Sequence, residues 1–130
     1  MKACKQDSAI SLLRVSLGLM FIAHGLLKIL VFSLDGSAGF FESVGFPGWL
    51  VYPVTFGEII GGALLVVGWL VRPVTAVLVP VLVGALWAHL PNGWVFSNAN
   101  GGWEYPAFLL IASIAVLLAG PDRWSLDGRG

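Results

Sequence analysis

The chain has 130 residues, of which 58% are apolar and only 11% are charged. So few charged side chains cannot cover a surface that faces water, which excludes an ordinary soluble fold. The net charge is zero, and neither a basic patch nor a phosphate-cradling loop is present, so no nucleic-acid partner is expected. The composition predicts an integral membrane protein in which residues 1–130 form a single domain.

Four apolar segments are predicted to cross the bilayer, because a spanning helix needs about 20 mostly apolar residues. They cover residues 10–32, 50–71, 73–90 and 103–120. The first segment is too long for the apolar core of a cleaved signal peptide, and no small-residue cleavage site follows it. We therefore expect an all-α fold, an integral membrane four-helix bundle.

The distribution of lysine and arginine predicts the orientation of this bundle. With four spans, both termini lie on the same side as the connection between spans two and three. The opposite side carries only Lys28, so the positive-inside bias places both termini in the cytoplasm and the protein in the cell's inner (plasma) membrane. The six basic residues on the cytoplasmic side are Lys2, Lys5, Arg14, Arg72, Arg123 and Arg129.

Cysteine content excludes two kinds of membrane redox protein. Cys4 is the only cysteine, so the chain has neither an intrachain disulfide nor a CxxC pair. Enzymes that oxidise thiols by passing electrons through a cysteine pair are excluded for this chain alone, and so is covalent c-type haem attachment.

Span one has its polar and small residues on one face. At 100° per residue, Arg14, Gly18, His24, Gly25 and Lys28 fall within an arc of about 120°. This face is expected to look toward other helices. The two long cationic side chains lie near opposite ends, where both can snorkel to the interface, whereas the histidine lies deeper.

Glu58 in span two lies at about the depth of His24, roughly 11 Å below the outer boundary. An ionised carboxylate there costs at least about 2.5–3.5 kcal/mol, so Glu58 must be paired, protonated or hydrated. Lys28 and His24 are the available partners. Two readings remain: an ion pair that only holds helices together, or a polar pocket that opens outward. We expect Glu58 to face the interior and to form a proton-exchanging pair with His24.

The connection between spans three and four also carries polar residues. His89 and Glu104 bracket a turn rich in asparagine and glycine, residue types that tolerate positive φ. Trp87, Trp94 and Trp103 are expected at the interface or stacked on a flat ligand. No metal or haem is expected, because the two histidines lie at unequal depths and no Glu-x-x-His spacing occurs.

The connection between spans one and two is rich in aromatic residues. Residues 39–44 are predicted to form a short element in the outer interface. Its aromatic side chains Phe40 and Phe41, with Trp49, are expected to point toward lipid.

Five motifs, taken together and in order, resemble the signatures of the DoxX family of small bacterial and archaeal membrane proteins. They are LLRVSLGLMFIAHGLLKI, FGEIIGGALLVVG, HLPNGW, GGWEYP and GPDRWSLD. The resemblance implies a four-helix membrane bundle. The family includes the quinone-interacting membrane subunit of an archaeal thiosulfate:quinone oxidoreductase, and other members are linked to membrane oxidoreductase complexes. The matching positions carried over to this chain are Arg14, His24, Gly25, Lys28, Glu58, His89, Pro91, Asn92, Gly93, Glu104 and Tyr105.

These residues lead to an expected function: a small inner-membrane subunit of an oxidoreductase system, with quinone as cofactor in a pocket in the outer half of the bundle. His24, Glu58 and His89 are the expected catalytic proton carriers. The expected ligand-binding residues are Arg14, Lys28, Asn92, Glu104 and Tyr105. The expected partners are the lipid bilayer and a protein partner or a second copy of the chain, because electrons must arrive from elsewhere.

Two alternatives stay open. The chain could be a non-catalytic accessory subunit of a larger complex, with the polar cluster purely structural. A small transporter or proton channel is less favoured, because the inner half offers only Arg14 as a relay, and a guanidinium does not release its proton.

Overall fold

The computed structural model describes residues 5–94, 102–122 and 124–127, and every regular element within these ranges is helical. The elements are α1 (Lys5–Leu30), α2 (Leu34–Ser43), α3 (Val51–Val67), α4 (Val71–His89) and α5 (Glu104–Ala119). Single 3₁₀ turns at Gly48–Leu50 and Leu90–Asn92 precede α3 and follow α4.

Three of these helices have the length and apolar composition needed to cross a membrane. They are α1, α3 together with the turn that precedes it, and α4. Helix α5 is apolar but has only 16 residues, about 24 Å at 1.5 Å per residue, which is short of a typical hydrocarbon core. The predicted all-α membrane protein is confirmed at this level.

Two boundaries of the predicted spans differ from the observed helices by more than about two residues. Helix α1 begins at Lys5 rather than at residue 10, so its first turns precede the apolar run. The second span was predicted to reach residue 71, but α3 ends at Val67. Gly68 takes a φ of 79°, and the amides of Gly68 and Trp69 both donate to the Leu64 carbonyl. Glycine favours this left-handed helix end, because it has no Cβ to clash.

The closest helix contact is between α1 and α3. A Cβ built on Gly18 would lie 2.6 Å from the Gly62 carbonyl oxygen, and one built on Gly62 would lie 2.5 Å from the Gly18 oxygen. A Cβ on Gly25 would lie 2.5 Å from the side chain of Ile59. The two backbones therefore touch, as small residues allow in membrane helix pairs.

The remaining helices complete the packing around one apolar core. Helix α4 contacts both α3 and α5, and α5 also contacts α1. Each of these four helices contributes buried side chains to the core, among them Leu17, Phe21, Leu65, Leu78 and Val116.

The packed helices have two chemically different ends. We call proximal the end with the start of α1, the α3–α4 turn and the segment after α5. The distal end holds the end of α1, the whole of α2, the start of α3, the end of α4 and the start of α5.

An ion pair closes the proximal end. Arg14 is only 2% exposed, and its Nε lies 2.7 Å from Oδ2 of Asp122, which follows α5. Its Nη1 donates to the carbonyls of Leu65 and Val66 at 2.6 and 2.8 Å, in the last turn of α3. The expectation that Arg14 snorkels to the interface is therefore wrong, because a buried counter-charge and helix-end carbonyls hold it inside.

The segment after α5 also caps α4. The amides of Leu126 and Asp127 donate to the carbonyls of Val67 and Gly68 at 3.1 and 2.9 Å. The Asp127 carboxylate accepts from the amides of Leu70 and Val71, at 3.0 and 2.8 Å. A carboxylate at a helix N-terminus is stabilising, because it satisfies amides that have no partner within the helix.

The glycine contact predicts a strongly position-dependent effect of adding one methyl group. Gly62→Ala should lower the stability by about 1–3 kcal/mol, because its Cβ meets the backbone of α1. Gly57→Ala is the matched control: it lies on the same helix, and its Cβ would meet nothing within 4 Å. Thermal unfolding in detergent should show a lower Tm for Gly62→Ala only. Equal effects at both positions would contradict the close contact.

Removing the charge of Asp122 should destabilise the proximal end. Asp122→Asn leaves the buried Arg14 without a counter-charge, a loss of about 3–5 kcal/mol for breaking a buried pair. Asp35→Asn is the control, since that side chain is exposed. A fall in Tm no larger than that of the control would contradict the role given to the pair.

The same pair predicts how stability depends on pH. Burial alone raises the pKa of Asp122, but the hydrogen bond and charge of Arg14 outweigh burial and hold that pKa below its usual range. Stabilisation from a depressed carboxyl pKa is complete above the unfolded value, near pH 4, and is lost as pH falls through the folded pKa. The Tm difference between wild type and Asp122→Asn should therefore be constant above about pH 4 and shrink below it. A difference that grows in acid would contradict this assignment.

Candidate functional site

At the distal end, α1 and α3 bring Lys28 and Glu58 together. The Lys28 Nζ donates to Glu58 Oε1, and the two side chains are 19% and 7% exposed. The glycine contacts align these antiparallel helices so that Gly25 faces Thr55 and Ile59. Because helical side chains tilt toward the N-terminus of their own helix, Lys28 and Glu58 reach toward each other from opposite directions. The prediction that Glu58 faces the interior is confirmed.

His24 has other partners than the expected carboxylate. Its Nδ1 lies 2.7 Å from the Met20 carbonyl oxygen. Since a carbonyl can only accept, Nδ1 carries a proton in this contact, and the neutral ring presents Nε2 as an acceptor. Glu58 is engaged by Lys28 instead, so the expected His24–Glu58 pair is wrong. Equal depth in the membrane does not decide which residue pairs with Glu58. The Lys28 side chain is long enough to reach Glu58 from one helical turn beyond His24.

Tyr105 brings α5 into the site. Its ring stacks on His24 with centroids 5.2 Å apart and planes inclined by 24°. The Tyr105 hydroxyl is buried and has no hydrogen-bond partner among the described residues, and the same holds for the hydroxyl of Thr55. Thr55 lies on the buried face of α3 with Glu58. Unsatisfied buried hydroxyls are costly, so these two donors suit an acceptor oxygen that the protein itself does not supply.

His89 lies at the rim, under α2. Its Nδ1 lies 2.8 Å from the Ala85 carbonyl oxygen, so Nε2 is again the acceptor of the neutral ring. The ring of Phe40 packs against His89 at 6.1 Å between centroids, while Phe41 packs edge-on against Phe46. The predicted interfacial element is thus a full helix, and Phe40 lies against a site residue. Of the aromatic residues expected to face lipid, Trp49 is 66% exposed.

Two cavities lie at the distal rim. One, of about 350 Å³, is lined by Trp94, Glu104, Tyr105 and Phe108. Trp94 and Trp103 pack edge to face at 4.5 Å, so these two indoles contact each other. The other cavity, of about 400 Å³, lies between the end of α2 and the end of α4. Its lining residues are Ser43, Val44, Trp87, Ala88, Leu90 and Pro91.

The structure does not bring all of the predicted residues together. Arg14 lies at the proximal end and donates to protein acceptors there, away from the distal cluster of His24, Lys28, Glu58 and Tyr105. Asn92 lies in the turn after α4, but its side chain is outside the described part of the chain. Within the described ranges, no three His, Cys, Asp or Glu side chains are grouped to hold a metal ion.

Sequence reasoning missed two residues. Asp122 had a detectable signal, because a counter-charge for Arg14 was required and the motif after Gly120–Pro121 contains an aspartate. Thr55 had none, because threonine is common in apolar helices and its lack of a partner appears only in three dimensions.

The distal end carries an excess of negative charge. Its charged residues are four carboxylates and one ammonium group, a net charge of −3, and residues 95–101 add no charge. An excess of this size repels anions and attracts cations. The charged distal residues are Lys28, Asp35, Glu42, Glu58 and Glu104.

Comparisons with known proteins give one family match and two similar proteins. A family model described as DoxX matches residues 9–91. The Bacillus subtilis protein named "Putative oxidoreductase CatD" is 34% identical over 116 residues, covering 89% of this chain and 82% of that protein. The Mycobacterium tuberculosis "Uncharacterized membrane protein Rv3486" is 32% identical over a 128-residue alignment, covering 90% of this chain and 78% of that protein. No solved structure matches the chain.

Proposed function

This chain belongs to the DoxX family of membrane proteins, and from that premise we propose that it is the quinone-binding subunit of a membrane oxidoreductase system. The observation that carries the proposal is the composition of the distal cluster. It combines a partly buried Lys28–Glu58 pair, a histidine whose Nδ1 is held by a backbone carbonyl, and two buried hydroxyls that have no partner among the described residues.

These side chains fit a quinone. A quinone ring is flat and apolar, and its two carbonyl oxygens accept hydrogen bonds. Tyr105 and Thr55 would donate to such oxygens, and Lys28 would place a positive charge beside them. When bound, the quinone supplies an acceptor for two electrons and two protons. The net charge of −3 at this end favours a neutral ligand of this kind over an anionic one.

The protein's part in this chemistry is to hold and move protons. A proton that passes from Lys28 Nζ to Glu58 neutralises both groups and leaves the Glu58 carboxyl able to donate that proton. The donation leaves one negative charge on the pair, so a second proton taken up from the distal surface would be needed to restore it. His24 accepts a proton at Nε2 while its Nδ1–H remains on the Met20 carbonyl. His89, nearer the distal surface, would exchange protons with water through its own Nε2. Because these groups transfer protons only, a protein partner or a second copy of the chain would deliver electrons.

The proposal includes a topology. We place the protein in the cell's inner membrane as a multi-pass four-helix bundle, with α1, α3, α4 and α5 as its helices and both termini in the cytoplasm. The distal cluster then faces outward. The single basic residue of the distal end, Lys28, supports this orientation, because basic residues concentrate on the cytoplasmic side.

The accessory-subunit function is the second candidate, and a specific observation favours it. Two cations of α1 have a carboxylate partner within the chain, Arg14 with Asp122 and Lys28 with Glu58. Ion pairs of this kind suffice to hold membrane helices together without any catalytic role.

Substituting the proton carriers distinguishes the two candidates. His24→Gln and Glu58→Gln should each reduce quinone reduction in membrane vesicles by about 100-fold or more, since a positioned acid or base contributes at least that factor. Both variants should insert at normal levels. A second measurement is the binding of a short-chain ubiquinone to the purified variants, detected as a change in tryptophan fluorescence. Asp35→Asn, exposed on α2, is the matched control.

Retained activity in both variants, with purified wild-type protein that neither carries nor binds quinone, would contradict the catalytic proposal. It would leave the accessory function.

Thiol labelling tests the topology. An impermeant maleimide added to intact cells should label Asn98→Cys, in the connection between α4 and α5, and should not label native Cys4. Permeabilised cells provide the control for reactivity at both positions. The reverse pattern would place the distal cluster on the cytoplasmic side.

A further inference from the structure

Helix α2 covers part of the distal end, including His89. It contacts α1 and α3, its Ser37 is 6% exposed, and its Phe40 ring lies on His89 of α4. The chain that follows continues this cover, because Phe46 approaches Gly84 of α4. The Glu58 side chain of the distal cluster is only 7% exposed, so a ligand reaches it only when part of the distal end moves.

Both ends of α2 have backbone conformations suited to a hinge. Ser33 has φ 64° and ψ 158°, a region adopted almost only by glycine. Two hydrogen bonds hold it there: its Oγ accepts from the Gly36 amide and its carbonyl from the Ser37 amide, both at 3.0 Å. At the other end, Gly45 has φ 98°, and a Cβ there would meet nothing within 4 Å. Such positions can absorb the backbone rotation of a moving segment.

Helix α2 is also weakly anchored. Ser37 is its only buried residue among ten. Segments with few buried contacts open locally at a lower free energy than the core around them.

The 400 Å³ cavity lies beside the C-terminal end of α2. The end of α2 forms one wall through Ser43 and Val44, and α4 forms the other. Trp87 of α4 and Leu90 of the turn that follows are 61% and 46% exposed, so the cavity opens toward the surface of the protein. Its wall residues are mostly apolar, which suits an apolar ligand that arrives from the bilayer.

We propose that α2 is a lid that rotates about Ser33 and Gly45, and that a neutral, flat apolar ligand passes from the bilayer through the α2–α4 cavity to the distal cluster when the lid rises. The identity of the ligand rests on the proposed function, but the movement of the lid does not.

A covalent staple tests the movement without any ligand. Ser43→Cys and Leu90→Cys, placed in a Cys4→Ser background, stand on opposite walls of the cavity and can be bridged by a flexible bismaleimide. Amide hydrogen exchange in nanodiscs should be faster in residues 34–43 than in residues 51–67. The staple should slow exchange in α2 by about tenfold and leave α5 unchanged. The same double variant with each thiol capped separately is the control.

A second measurement uses a short-chain ubiquinone as the probe. The staple should slow association and dissociation by the same factor, about tenfold, and leave Kd unchanged, because a lid alters the barrier and not the bound state. Phe40→Ala should do the opposite and speed both steps, with Asp35→Asn, exposed on the same helix, as the control. This variant does not depend on the staple forming.

The outcomes separate the two proposals. Exchange in α2 that matches exchange in α3 and is unchanged by the staple overturns the lid. A staple that leaves both rates unchanged, or that changes Kd, also overturns it. Wild-type protein that binds no ubiquinone, with staple-sensitive exchange in α2, overturns the proposed function and supports the lid.

Discussion

The backbone contact between α1 and α3 is the constraint on which both ends of the molecule depend. Gly18 and Gly62 allow no sliding, because each lies against the other's carbonyl oxygen. This register places Lys28 within reach of Glu58 at one end. At the other end it places Arg14 beside the last carbonyls of α3, where Asp122 completes its hydrogen bonds. One glycine contact therefore determines where two cations of the same helix find their counter-charges.

The two ends use these charges differently. At the proximal end, Arg14 donates to a carboxylate and to backbone carbonyls, and the segment after α5 caps α4 with Asp127. That arrangement stabilises the fold. The distal end also has an ion pair, but it adds the acceptor nitrogen of His24 and the buried hydroxyls of Thr55 and Tyr105. Within the part of the chain that the structure describes, these two hydroxyls have no partner, which is why the proposed chemistry belongs there.

Much of the architecture followed from one-dimensional patterns. The apolar lengths predicted a helical membrane protein, and the small-residue face of span one predicted the buried positions of Gly18 and Gly25, because a helix repeats its faces at a fixed angle. The burial of Glu58 followed from the cost of an ionised group in lipid. The family match over residues 9–91 also agrees with the first two motifs read from the sequence alone, which lie in α1 and α3, whereas the last two motifs lie beyond the matched residues.

The sequence by itself thus determined the class of fold, its apolar helices and the need for charge partners within the membrane. Only the tertiary structure decided which partners those are. Lys28 rather than His24 reaches Glu58, Asp122 lies 108 positions from Arg14, and Phe40 contacts His89. Periodicity gives the face and depth of a side chain within one helix. The pairing also depends on the register between helices, on side-chain tilt and on how the chain folds back after α5, and these are set by packing between distant segments.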